Sequence, residues 1–114
     1  MSRANKLIAT LKKEGVPWQA VNLTADRIFH PHGARKEAAI RAAVKRTFPN
    51  LTALPCDEKQ PHPNVLRFIT LKPNNNAGRQ TLAEAREWLA QNPLHWKEHF
   101  EYVEGLARKK LAKT

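Results

Sequence analysis

His95-Trp96-Lys97-Glu98-His99 is the stretch whose residue types and spacing come nearest to chemistry. Two histidines four positions apart lie on one face of a helix, so both rings can reach one cation. The Glu98 between them can polarise a bound water, and together they spell the inverted zincin order H-x-x-E-H. A hydrolase of this kind also needs an acidic ligand from a distant helix. Fifteen residues follow His99, with Glu101 and Glu104 close by. A metal-dependent hydrolase built on His95, Glu98 and His99 is therefore one alternative. Surface histidines beside Trp96 and Phe100 account for the same letters without a metal, and that is the expectation.

A second group, His30, His32, Cys56 and His62, carries imidazole and thiol ligands of the kind zinc accepts. Its spacing fits no finger pattern, and two turn histidines with a half-buried thiol are the plainer reading. Cys56 and His62 as a nucleophile and base have no third group to orient the base. The four glycines, Gly15, Gly33, Gly78 and Gly105, are too far apart for a phosphate-cradling loop. No catalytic residue is assigned, no metal or cofactor is expected, and enzyme activity is not.

Charge supplies the stronger signal. The chain has 114 residues, a net charge of +10 and a pI near 10.3. Residues 1–50 hold ten Lys or Arg against Glu14, Asp26 and Glu37, a net of +7. Such a balance attracts phosphate-rich partners by counterion release and long-range steering. The segment 33–50, GARKEAAIRAAVKRTFPN, concentrates it. Its alanines favour helix, Pro49 ends the run, and Ile40, Ala43, Val44, Thr47 and Phe48 share one side. Arg35, Lys36, Arg41, Lys45 and Arg46 spread over the rest. These five, with Lys59 and Arg67 further on, are the predicted nucleic-acid-binding residues.

Leu7, Ile8 and Leu11 predict a first helix over 3–14, ended by Gly15. Trp18, Val21, Ala25 and Ile28 recur at helical intervals after Pro17 and predict a second helix. His30 to Gly33 is a turn, and the basic helix is third. After Pro49 the texture becomes β-like, with a strand over 65–71, a partner over 51–54 and a Pro-rich loop over 55–64. Three helices followed by a hairpin is the element order of a winged helix, with Lys59, His62 and Arg67 on or near the wing. Phe68 beside Arg67 could also serve as a stacking platform for single strands.

Asn74 to Gly78 reads as a linker, and Thr81 with Glu84 as a capping box. Leu82, Ala85, Trp88 and Leu89 form one apolar face, and Trp96, Phe100, Val103 and Leu106 another on a last helix over 93–112. The two faces are expected to meet in a helical hairpin. The basic tail from Arg108 to Lys113 is expected to be solvated.

The expected architecture is thus α+β and mostly helical: a winged-helix-like basic unit over 1–73 and a C-terminal helical hairpin over 74–114, packed together or apart. No apolar run approaches the roughly 18 residues of a membrane span. The opening MSRANKLIATLKKEG meets Lys12 and Lys13 before any sizeable apolar core, so a cytoplasmic location is expected. The first functional reading is a regulatory or accessory protein that binds nucleic acid, DNA ahead of RNA, with a homodimer through the C-terminal helices. The alternative is an interaction module whose basic face docks on an acidic protein, inhibiting or recruiting a nucleic-acid enzyme. A membrane is not an expected partner.

Overall fold

The computed structural model describes residues 3–23, 26–57, 67–91 and 95–111, without the side chains of 109–111. Lys59, His62, Val65 and Leu66 lie outside the described residues, as does most of the expected wing. The first helix, α1 (Arg3–Lys13), buries Ala4, Leu7 and Leu11. Its end is set by Gly15, whose φ of +79° suits glycine. There the N–H of Gly15 donates to Lys12 O and that of Val16 to Leu11 O, and the buried Val16 side chain seals the turn.

Beyond it the chain departs from the expected second helix. Trp18–Ala20 is a single 3₁₀ turn, and β1 (Val21–Asn22) pairs antiparallel with β2 (Arg27–His30). Val21, Ile28 and Phe29 favour strand, Asn22 disfavours a helix interior, and Asp26 takes φ 54° in the connecting turn. The apolar spacing of Val21 and Ile28 arises because they are cross-strand partners, not successive helical turns.

The basic helix forms as expected, as α2 (Ala34–Thr47), and Phe48 and Pro49 lead into β3 (Leu51–Leu54). β4 (Arg67–Pro73) joins β3 to β2, giving an antiparallel sheet in the order β1-β2-β4-β3. Ile28 faces Ile69 and His30 faces Arg67 across the β2–β4 pair. These residues alternate with Phe29, opposite Phe68, and Arg27, opposite Thr70, which the pleat sends to the other face.

Where a linker is expected, the Asn triplet is a fastening. The N–H of Asn74 donates to Asn50 O, Asn75 Nδ2 donates to Asn50 Oδ1, and the Asn75 side chain accepts from Gly78 N–H at 3.0 Å. Asn75 therefore caps α3 (Asn76–Ala90), one and a half turns before the expected box at Thr81. Thr81 lies inside the helix, its hydroxyl turned back to Ala77 O. A Cβ on Gly78 would stand 2.4 Å from Asn50 O, so glycine is what lets the first turn of α3 approach the α2–β3 turn.

Ala4, Leu7 and Leu11 of α1, Ile40, Val44 and Phe48 beside them, Ile28, Leu51, Ile69 and Leu71 of the sheet, and Leu82, Ala85 and Leu89 of α3 form one buried cluster. α1 packs against α2 and α3, α2 against β3, and α3 against β4. The architecture is α+β and mostly helical, with four α-helices and four strands among the described residues. The last helix, α4 (His95–Leu111), packs against the 3₁₀ turn. Of the expected seam of Trp96, Phe100, Val103 and Leu106, only Leu106 is buried: Phe100 is 62% exposed, and Trp96, 41% exposed, lines an open groove with Leu89 and Ala90 of α3.

Candidate nucleic-acid interface

On α2 the helical period separates two surfaces. Glu37, Ile40, Ala43 and Val44 are buried, while Ala34, Arg35, Ala38, Ala39, Ala42, Lys45 and Arg46 are exposed. The outward surface thus interleaves long cations with methyl groups, so a flat polyanion can approach the backbone closely. Arg41 lies at its border, half-buried, with Nε buried and without a hydrogen-bond partner. Arg41 and Lys45, one helical turn apart, line an open groove of about 240 Å³ with Ala38, Ala42, Thr52 and Ala53, between α2 and the edge strand β3.

Among the described residues Arg35, Arg41 and Lys45 have no ion-pair partner. Lys36 differs, since its Nζ donates to Glu14 Oε2 at 2.8 Å across the α1–α2 contact. That hydrogen bond and the charge of Lys36, joined by the charge of Arg46, hold the Glu14 carboxyl below its ordinary value.

Arg67 stands apart from the other predicted contacts. It is buried on the inner face of the sheet, and its guanidinium donates to Glu37 Oε2 at 2.9 Å. The same carboxylate accepts from His30 Nε2 at 2.8 Å and from the backbone N–H of Cys56 at 3.3 Å. Burial pushes the Glu37 carboxyl up, but the hydrogen bonds from Arg67, His30 and Cys56 outweigh it and leave it below its ordinary value. Burial, joined by the charges of His32 and Arg67, holds His30 below its ordinary value against the hydrogen bond and charge of Glu37. Its Nδ1 accepts from the N–H of His32 at 3.2 Å, which assigns a neutral ring carrying its proton on Nε2. His30, Cys56 and Arg67 therefore meet around Glu37, an arrangement that serves the core and braces α2 from beneath.

Glu37 was the residue that patterning passed over. Its signal is a carboxylate at core spacing from Ile40 and Val44, matched by Arg67 at alternating positions with Ile69 and Leu71. An acid and a base each placed on a buried face are paired more often than not, because either alone is costly.

The histidines of α4 are also buried, not surface groups: His95 is 1% and His99 2% exposed. His95 Nε2 donates to Val21 O at 3.0 Å, and His99 Nδ1 donates to Gln19 O at 2.7 Å. His99 Nε2 lies 3.3 Å from Asn22 Nδ2, whose N–H it accepts. Glu98 accepts from Gln19 Nε2 at 3.4 Å. The motif thus docks α4 on the open side of β1, and burial lowers His99 more than its backbone hydrogen bond raises it. No three His, Cys, Asp or Glu side chains converge on a metal-sized site among the described residues. No helix there is long and apolar enough to cross a membrane. No family model, curated protein or solved structure matches the chain.

Proposed function

We propose that this protein is a nucleic-acid-binding accessory or regulatory factor whose α2 surface engages the phosphate backbone, DNA being the first target to test. The observation that carries this reading is that, among the described residues, Arg35, Arg41 and Lys45 have no ion-pair partner, while Glu14 and Glu37 are engaged with Lys36, Arg67 and His30. A face whose cations are left free beside small side chains presents charge outward, and a polyanion recovers it by releasing counterions. Arg46 extends the face and Lys36 flanks it; Arg67, being buried, has no part in it. Lys59 lies outside the described residues. Support for a winged-helix-like reading comes from the element order alone, α2 followed by the antiparallel pair β3 and β4; the β1–β2 hairpin stands where the second helix is expected.

The test is a titration against duplex DNA over a range of salt. Arg41→Gln and Lys45→Gln should each weaken binding across sequences and reduce the salt slope by about one unit. Arg108→Gln, which removes a cation already paired with Glu104 on α4, should leave the slope as it is. Wild-type slopes for the α2 variants would transfer the face to the alternative role, docking on an acidic protein.

A further inference from the structure

On the side of the sheet away from the core, the rings follow one another. Phe29 and Phe68 are direct cross-strand partners, with ring centroids 5.9 Å apart. Phe29 lies 5.6 Å from the His99 ring, His99 5.7 Å from Phe100, and Phe100 stacks on Trp96 at 6.1 Å. The path runs from the middle of the sheet onto the open surface of α4. It ends in the two most exposed large hydrophobic side chains of the described residues. None of Phe29, Phe68, Trp96 and Phe100 belongs to the buried cluster.

On the sheet, the charge beside the rings is of one sign, whereas on α4 Glu98, Glu101 and Glu104 accompany Lys97 near Trp96 and Phe100. The Arg27 guanidinium lies over Phe68, 4.1 Å from its centroid. Arg27 and Lys72 are exposed, and the register places both on this face of the sheet. The described strand residues that share the face, Asn22, Arg27, Phe29, Thr52, Leu54, Phe68, Thr70 and Lys72, include no Asp or Glu. A cross-strand Phe pair by itself can simply stabilise a sheet. A partly exposed pair capped by a guanidinium, continued by exposed Trp and Phe and free of acid on the sheet, has the properties of a surface for π-faces linked by anions.

We infer that this ring surface is a stacking platform for unpaired bases, and that its ligand is single-stranded nucleic acid. Bases of any kind present a π-face, so such a platform tolerates sequence, and the flanking cations follow the phosphates. In a duplex the faces are already stacked on one another and are not offered. The inference gives the proposed nucleic-acid function a strand preference but rests on different residues from the α2 face, so the two fail separately.

The experiment is fluorescence anisotropy with a labelled oligothymidylate, an abasic oligomer of the same length and charge, and a duplex. Wild type should bind the base-bearing strand at least ten-fold more tightly than the abasic one. Phe68→Leu combined with Phe100→Ala should remove most of that difference, a loss of roughly ten-fold or more. Affinity for the abasic oligomer and the salt slope should stay as they are. Phe68→Trp should bind the base-bearing strand at least as well as wild type, which a purely structural role for Phe68 would not produce. Phe100→Ala alone, at an exposed position, keeps the test open if the double variant unfolds, and should weaken base-bearing binding about five-fold. Equal affinity for abasic and base-bearing strands overturns the inference even if Arg41→Gln and Lys45→Gln still weaken binding. Rings that instead hold two copies of the chain together also overturn it, and would appear as a dimer in sedimentation that Phe100→Ala converts to monomer with oligonucleotide affinity unaltered.

Discussion

α2 and α4 are both amphipathic helices, but they solve burial in opposite ways. α2 turns Ile40, Ala43 and Val44 inward and its arginines outward, as hydrophobic periodicity predicts, with Glu37 as the exception. α4 turns His95 and His99 inward and leaves Trp96 and Phe100 in solvent. The cause is what each helix meets. α2 lies on α1 and the sheet's apolar interior, where methyl and methylene groups are the fitting complement. α4 meets the backbone of the 3₁₀ turn and β1, an edge strand with carbonyls that no neighbouring strand takes up. There an imidazole N–H is the fitting complement, as with Val21 O and Gln19 O.

The strongest way to break this comparison is through the exception on α2. Glu37→Ala should destabilise by about 3 to 5 kcal/mol, because it removes the buried carboxylate that Arg67, His30 Nε2 and the Cys56 N–H share. A urea midpoint equal to wild type would show that Arg67 reaches water without cost. On α4 the ranking should invert the usual one. His95→Ala and His99→Ala should each cost about 1 to 3 kcal/mol by orphaning a backbone carbonyl. Phe100→Ala should stay within about 0.5 kcal/mol, as for a surface side chain. If Phe100→Ala proved the costlier change, α4 would be docked by its aromatic face.

Acid should act on both helices at once. His30 and His99 are held below their ordinary value in the folded chain, so the unfolded chain binds the additional protons. Their contribution is complete above about pH 6.5 and is lost as the pH falls through that value toward the folded pKa. Glu37, also held low, adds a second loss below about pH 4.3. The thermal midpoint should therefore fall between pH 7.5 and 5.5, roughly by a few degrees. His99→Gln should flatten that limb in part, and a midpoint that does not change over this range would contradict the buried neutral rings. The smallest effect belongs to the outward face of α2: Arg35→Gln and Lys45→Gln should alter stability by less than about 0.5 kcal/mol. A larger loss in denaturant melts would mean that these cations are structural.

What could be read along the chain was whatever depends on neighbours a few residues away. The Leu7–Leu11 stripe, the stop at Gly15, the alanine-rich α2 and, within its described part from Arg67, the β-like 65–71 run all appear where local spacing and propensity put them. The outward cations of α2 were legible for the same reason, since a period of 3.6 sorts the two sides of a helix without knowledge of its partner. The segment from Trp18 to Ile28 was not, because Val21 and Ile28 have a separation that a helix and a hairpin both satisfy. The choice fell to β4, which supplies Ile69 opposite Ile28 and closes the sheet. Nor could Asn75 be told from a linker residue before Asn50 was brought beside it.

Composition and short-range periodicity suffice for the charge, the four α-helices and the two strands after Pro49. Tertiary structure decided which polar residues went inside. Burying Glu37, His30, Arg67, His95 and His99 is tolerable only where partners distant in the chain complete their hydrogen bonds. It also decided that Phe29 and Phe68 stand side by side, half-buried, on the outer face of the sheet, because their adjacency is a matter of strand register, 39 residues apart along the chain and 5.9 Å apart in space.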